Sequence, residues 1–298
     1  MTAWAVTSIR NRFPNARITW LVESRCAAIA EASSARDVLS VPRDRWKQNR
    51  GSVRVWREQV SFYLALRNMH FDFGFDFQGH AKTALALRLA YPKVRRSARA
   101  TDSLARALNP PIPFLAGEHT VARNHRLLCS AENFTLTDRP ELTVLPPHSD
   151  FPTRPVASIS TGAGHPSKAY PADMWRQVGL LLQIEGWKVV FLGGPTDPKI
   201  SLSHAVDWVD RLPLSDTLAA VAASDLHFAS DTGTGHMAAA VGVPVISIFG
   251  PTHPTEFRPY TNRGVVLQNG MNPAQVMPDE VVAAGLELVR KNYAQVPH

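Results

Sequence analysis

Three short stretches in the second half of the chain carry the residue types that could do chemistry. They are Ser160-Thr161-Gly162 with Lys168 a few residues on, Gly193-Gly194-Pro195-Thr196-Asp197, and Ser230-Asp231-Thr232-Gly233-Thr234-Gly235-His236. Each follows a short apolar run that reads as a strand: Val156–Ser160, Lys188–Leu192 and Leu226–Ala229. Loops at the carboxyl ends of parallel strands converge on one crevice. A crevice built from these three would hold hydroxyls, a lysine, two carboxylates and the free N–H groups of a helix opening near Thr234. Hydroxyls, lysine and amides suit a diphosphate, and carboxylates suit ribose or sugar hydroxyls. Neither glycine loop spells the P-loop or the dinucleotide fingerprint. Each residue also has a plainer reading. Lys168 could be a solvated loop lysine, Asp231 a turn cap, His236 a hydrogen-bonded core histidine, and Asp197 a helix cap.

The elements that would position these groups alternate along the second half. After the strand at Val156–Ser160 come a helix at Ala172–Ile184, a strand at Lys188–Leu192, a short helix, and a helix at Ser215–Ala223 with Ser215 as its cap. Then follow the strand at Leu226–Ala229, a small-residue helix at Thr234–Val241, strands at Pro244–Phe249 and Gly264–Leu267, and a helix from Pro278 to Asn292. Such alternation predicts a parallel sheet covered on both faces.

The first half is less regular. It begins with an amphipathic helix, Ala3–Phe13, where a doubly wound domain normally begins with a strand. Strands are expected at Arg17–Val22, Asp37–Val41 and Phe71–Phe77. Helices are expected at Val53–Asn68, with Val60, Leu64 and Leu66 among its apolar residues, at Ala81–Ala90 and at His119–Phe134. Pro42–Gly51 reads as a basic loop, Lys93–Arg99 as a second basic stretch, and the proline-rich 140–155 as an interdomain linker.

Composition bounds the rest. With 298 residues, 45% hydrophobic and 19% charged, the chain is long enough for two domains. Its net charge of +7 is split: residues 1–150 hold 22 Lys and Arg against 13 Asp and Glu, and residues 151–298 hold 10 against 12. The basic half suits an acidic acceptor or an anionic membrane surface, and no nucleic-acid motif accompanies it. No apolar run is long enough to span a bilayer, and no signal peptide is read. Cys26 and Cys129 fit no metal or redox spacing and are expected as buried thiols in a reducing cytoplasm.

Taken in order, several segments resemble glycosyltransferase family 9, the ADP-heptose:lipopolysaccharide heptosyltransferases. The core Asp231-Thr232-Gly233-x-x-His236 with its Pro244–Thr252 ending looks like the family signature. Lys168-Ala169-Tyr170-Pro171-x-x-x-Trp175, Gly193-Gly194-Pro195-x-Asp197, Asp76-Phe77-Gln78-Gly79-x-x-Lys82-Thr83 and Phe13–Val22 resemble further family segments. The resemblance implies an α/β chain of GT-B type, with two Rossmann-like doubly wound domains facing a cleft. Residues 1–150 would bind the acceptor, residues 151–278 the nucleotide-sugar, and a helix at 279–298 would cross back toward the first domain. Lys168 and the hydroxyls of Thr161 and Ser160 would meet the diphosphate, with the Thr232 and Gly233 amides and His236 beside it. Asp231 would hold sugar hydroxyls, Asp197 the ribose, and Leu212 the base. Asp76, Gln78 and Lys82 would lie on the acceptor side, although the first two could simply end a strand.

The resemblance implies an inverting transfer of a heptose or similar sugar from a nucleotide donor, with ADP-heptose first. The acceptor would be a phosphorylated lipopolysaccharide core or another surface glycan, and the enzyme cytoplasmic or peripheral to the inner membrane. No cofactor is implied, the nucleotide-sugar being substrate, and no metal site is apparent. The family's first strand ends in a Gly-Asp loop whose Asp is the expected general base. The match here begins inside the following helix, so the first strand and its Asp are expected upstream of Met1 and the catalytic residue is unknown. The alternatives are a nucleotide-sugar-binding relative without transfer activity and a GT-B UDP-sugar epimerase.

Overall fold

The computed structural model describes residues 1–294, in two compact units, Met1–Thr137 and Asp138–His298. The division precedes the proline-rich stretch 140–155, which travels with the second unit instead of separating the two at 150.

The first unit runs α1 (Thr2–Arg12), β1 (Thr19–Glu23), α2 (Ala27–Glu31), β2 (Asp37–Val41), α3 (Arg43–Gln48), α4 (Val53–Arg67), β3 (Phe73–Asp76), α5 (Ala81–Ala90), β4 (Val94–Ser97), α6 (Ser103–Leu108) and α7 (Thr120–Cys129). The leading helix forms, but it is not amphipathic over its first turns, where Ala3 to Ser8 are buried on every side. Trp4 is 1% exposed, and α1 packs on α7, whose Leu128 joins Ala5 and Phe134 in one apolar cluster. The alternating aromatics of β3 place Phe73, Phe75 and Phe77 in a stacked row, with ring centroids 6.2 and 6.4 Å apart.

This unit departs from a continuous doubly wound sheet. Among the described residues, β1 pairs in parallel with β2 alone, and β3 with β4 alone. Other expectations need correcting. The basic loop at 42–51 contains α3, because Trp46 is buried against Phe62 and Tyr63 and so holds one helical turn in place. The basic stretch 93–99 contains strand β4, paired along β3. Cys26 and Cys129 are exposed free thiols: Cys26 lies in a one-turn helix after β1, and Cys129 ends α7.

The second unit runs β5 (Val156–Ser160), α8 (Ala172–Ile184), β6 (Lys188–Leu192), β7 (Val206–Asp207), α9 (Leu214–Ala223), β8 (Leu226–Ser230), α10 (Gly233–Val241), β9 (Val245–Ile248), α11 (Pro254–Phe257), β10 (Gly264–Leu267) and α12 (Pro278–Ala294). Its strands form one parallel six-stranded sheet in the order β10-β9-β8-β5-β6-β7. Strands β5, β8 and β9 are buried along their whole length, as sheets covered on both faces require. One face packs Ile159, Phe191 and Phe228 against Trp175 of α8 and Val281 of α12. The other packs Val190, Leu192 and Val245 against Ala220 of α9 and Ala238 of α10.

Between Pro195 and Ser215 the expected short helix is replaced by β7, which extends the sheet edge. Ser215 does not cap α9: Pro213 precedes the first turn, and the Ser215 hydroxyl donates to Asp216. Helix α12 packs on α8, β9 and β10 of its own unit. The last residues of the expected closing segment 279–298, from 295 on, lie outside the described residues. Gly242 ends α10 in the left-handed region at φ 81°, where its missing side chain leaves room for the Arg139 guanidinium.

A cross-strand pair inside this sheet makes stability pH-dependent. His227 of β8 stands opposite Ser158 of β5, and its Nδ1 lies 2.9 Å from the Ser158 hydroxyl, with both residues fully buried. Burial lowers the imidazole pKa from the usual 6.5 to about 3, a shift that the Ser158 contact only partly opposes. Between those values the unfolded chain takes up a proton that the folded chain refuses. The contribution is therefore complete above pH 6.5 and lost as pH falls toward 3. The expected loss from this site is on the order of 5 kcal/mol at the acid end. His227→Asn should flatten the fall in unfolding free energy between pH 6.5 and 4. Equal slopes for the two proteins in denaturant titrations would contradict this assignment.

Candidate active site

The loops after β5, β6, β8 and β9 meet at the carboxyl edge of the six-stranded sheet, and one carboxylate ties three of them together. Asp231 follows β8. Its Oδ2 accepts from Lys168 Nζ at 2.7 Å, on the loop after β5, and from the Thr252 hydroxyl at 2.8 Å, on the turn after β9. The Asp231 side chain is 8% exposed and that of Lys168 29%, so the carboxylate is covered while the ammonium head still meets solvent. An ammonium has three N–H donors. One is spent on Asp231.

Lys168 is placed by the residues behind it. The Tyr170 N–H donates to the Ser230 hydroxyl at 3.2 Å, and the Tyr170 hydroxyl donates to the Val276 carbonyl at 2.8 Å. The Tyr170 ring meets Trp175 edge-on at 4.7 Å, and burial pushes its phenol pKa well up. The spacing Lys-x-Tyr-Pro-x-x-x-Trp thus encodes an anchor for the lysine loop: the aromatic pair sits in the core and the lysine leaves it for the sheet edge.

Helix α10 opens beside this ion pair. Thr232 is its N-cap residue but makes no side-chain cap, its hydroxyl lying 3.1 Å from that of Thr234. The first-turn N–H groups, starting at Gly233, are therefore not consumed by a capping side chain. They carry the positive end of the helix dipole. His236 lies half-buried in the same first turn.

Across the edge, Thr161 is buried, its N–H donating to the Leu192 carbonyl at 2.9 Å and its hydroxyl turned toward the same oxygen at 3.5 Å. Ser160 ends β5, also buried. Asp197 turns inward: its Oδ2 accepts the Gly194 N–H at 2.7 Å, and its carboxylate fills the space where a Gly162 side chain would stand. A Cβ on Gly162 would come within 1.9–2.2 Å of the carboxyl atoms. Asp197 therefore locks the two glycine loops to each other. Leu212 is partly buried against the apolar cluster that includes Trp208 and Leu192.

The first-unit candidates lie around the turn that joins β3 to α5. Asp76 ends β3, buried, with Oδ1 accepting from the Gln78 and Gly79 N–H groups at 3.0 Å each and Oδ2 accepting from the Thr83 hydroxyl at 2.9 Å. The carboxylate is consumed in shaping the turn. That turn presents the exposed Gln78 and Lys82. Partial desolvation lowers the Lys82 pKa, and the positive charges of Arg43 and Arg50 lower it further, against Glu23. Among the described residues no group of three or more His, Cys, Asp or Glu could hold a metal ion.

The family model for glycosyltransferase family 9 (heptosyltransferase) matches residues 60–282, more than half of the chain. The chain belongs to glycosyltransferase family 9. It is thus a glycosyltransferase. Lipopolysaccharide heptosyltransferase 1 of Pseudomonas aeruginosa is 26% identical over 269 residues, 84% of this chain and 74% of that protein. The protein of the same name from Escherichia coli K12 is 26% identical over 266 residues, 84% of this chain and 83% of that one. Among solved structures, E. coli heptosyltransferase WaaC with ADP superposes with a TM-score of 0.78 at 22% identity, covering 98% of this chain and 95% of that chain. E. coli ADP-heptose lps heptosyltransferase II gives 0.77 at 17%, with the same coverages. The fold is accordingly GT-B, built from two Rossmann-like units.

The structure gives particular contacts to Thr252, Tyr170 and Ser230, which the sequence places inside the singled-out segments without a role of their own. Thr252 sits in the glycine-proline turn after the next parallel strand, as Asp231 does after its own. The lock between the two glycine loops gives a direct test. Gly162→Ala should displace the Asp197 carboxylate from the Gly194 N–H and lower the melting temperature by about 2–6 °C. In an Asp197→Ala background the same change should cost almost nothing further. Additive losses would contradict the contact.

Proposed function

We propose that this glycosyltransferase moves a heptose from ADP-heptose to a phosphorylated lipopolysaccharide core or related surface glycan, with inversion at the anomeric carbon. The observation that carries the reading is the Lys168–Asp231–Thr252 cluster beside the uncapped start of α10. A diphosphate leaving group gains negative charge as the sugar–phosphate bond breaks. Fixed positive groups aimed at that charge lower the barrier. Here they are the free donors of Lys168 and the N–H groups from Gly233 onward. Asp231 keeps Lys168 in position and presents its other oxygen to sugar hydroxyls. Asp197, as a positioning residue, holds the Gly193-Gly194 loop on the ribose side, and Leu212 offers an apolar surface to the base. Similarity to proteins solved with ADP and with ADP-2-deoxy-2-fluoro heptose supports the choice of donor.

The reaction is a single displacement. The acceptor hydroxyl oxygen bonds to the anomeric carbon, the bond to the β-phosphate oxygen breaks, and ADP carries away the electron pair. No residue of this sequence is assigned as the base that takes the acceptor proton. The acceptor's phosphates would meet the positive field around Lys82, Arg43 and Arg50. We place this work in the cytoplasm, at the anionic face of the inner membrane.

Lys168→Ala should weaken ADP-heptose binding about tenfold or more, as expected for one charge-assisted contact to a phosphate. Calorimetry on the full chain checks it, and an unchanged dissociation constant would overturn the assignment. In a thermal-shift panel, ADP should stabilise the protein more than UDP. A preference for UDP would favour the epimerase reading.

A further inference from the structure

Helix α4 carries apolar residues on two faces, and only one of them is covered. Val55 and Leu66 are buried, Leu66 in a cluster with Ala86, Ala90, Leu21 and Leu39. The opposite face presents Val53, Trp56, Val60 and Leu64, which are 67, 60, 51 and 52% exposed. Their spacing, three, four and four residues, lines them along one stripe about three turns long. The Trp56 Nε1–H donates to the Arg50 carbonyl at 3.0 Å, so the indole's polar edge is satisfied while its ring stays outward.

The stripe has a basic border. Arg54, Arg57 and Arg67 of α4 are exposed, and Lys47 and Arg50 lie just before it, also exposed. Residues 43–67 hold seven Lys and Arg against two acids, Asp44 and Glu58. Glu58 is ion-paired with Arg45 and accepts from the Trp46 indole N–H, so its charge is already matched. An apolar stripe with a tryptophan, bordered by arginines, is the pattern of a helix that lies in the plane of a membrane interface.

We infer that the outer face of α4 docks this protein on an anionic phospholipid surface. Val53, Trp56, Val60 and Leu64 enter the headgroup–acyl boundary, and the bordering arginines meet lipid phosphates. A second copy of the chain is a poorer occupant, because a two-fold contact would set these arginines against their own equivalents. The inference deepens the membrane part of the proposed function and needs neither the donor nor the acceptor assignment.

The test is co-sedimentation of the full chain with phosphatidylethanolamine–phosphatidylglycerol vesicles and with pure phosphatidylcholine vesicles. The wild type should bind the anionic vesicles, less at high salt, and bind phosphatidylcholine weakly. Val60→Glu should lower the partition coefficient about tenfold or more, with melting temperature and ADP-heptose affinity unchanged. Ile184→Glu, at an exposed apolar site on α8, should bind as the wild type does. Wild type that ignores anionic vesicles, or a Val60→Glu protein that binds them equally, overturns the inference. So does concentration-dependent dimerisation that Val60→Glu abolishes in the absence of vesicle binding, which would assign the face to a second copy. Loss of ADP-heptose affinity with vesicle binding intact would count against the donor site and leave this inference standing.

Discussion

One carboxylate oxygen ties together the loops of the candidate site. Asp231 Oδ2 receives both the Lys168 ammonium and the Thr252 hydroxyl, so the loops after three parallel strands share one acceptor. With 8% of the Asp231 side chain exposed, removing either partner leaves a covered carboxylate short of a hydrogen-bond donor. Loops at a sheet edge are ordinarily the mobile part of an α/β domain. Here they are joined by a charge-assisted contact at 2.7 Å and by an aromatic anchor behind it. The lysine is preorganised before any ligand arrives, which is the condition for electrostatic stabilisation of a leaving group.

The sheet beneath makes that convergence possible. Central strands buried on both faces fix the strand ends to within the precision of core packing. The helix that opens at this edge is built largely of small residues, with Ala238, Ala239 and Ala240 of α10 all buried. Gly162 does comparable work in the neighbouring loop, since only a missing side chain lets the Asp197 carboxylate reach the Gly194 amide. Unit by unit, polar side chains at strand ends are used first to shape loops. Asp76 and Asp197 each commit one oxygen to backbone N–H groups, Asp76 gives its other oxygen to the Thr83 hydroxyl, and Gln78 and Lys82 beside Asp76 stay exposed.

Much of the second unit was legible in the sequence because its strands are continuous apolar runs punctuated by glycine, proline and short polar loops. Lys168, Asp231 and His236 could be placed at one sheet edge from that pattern alone. What was not legible depended on contacts distant in sequence. Strand β7 is two residues long and exists through its neighbour β6. Helix α3 exists because Trp46 finds Phe62 and Tyr63. The inward turn of Asp197 required the space above Gly162, some thirty residues earlier. In α4, apolar periodicity announced a helix but not which face would be covered: Leu66 is buried while Val60 and Leu64, read from the same pattern, are exposed.

The central claim is that Lys168 and Asp231 act as one unit in holding a nucleotide diphosphate. A double-mutant cycle on ADP affinity, with Lys168→Ala, Asp231→Ala and the double variant measured by calorimetry on the full chain, tests it most directly. The account predicts that each single change weakens binding about tenfold or more and that the double variant is no weaker than the worse single. Multiplying losses, or singles that bind ADP as the wild type does, would contradict it.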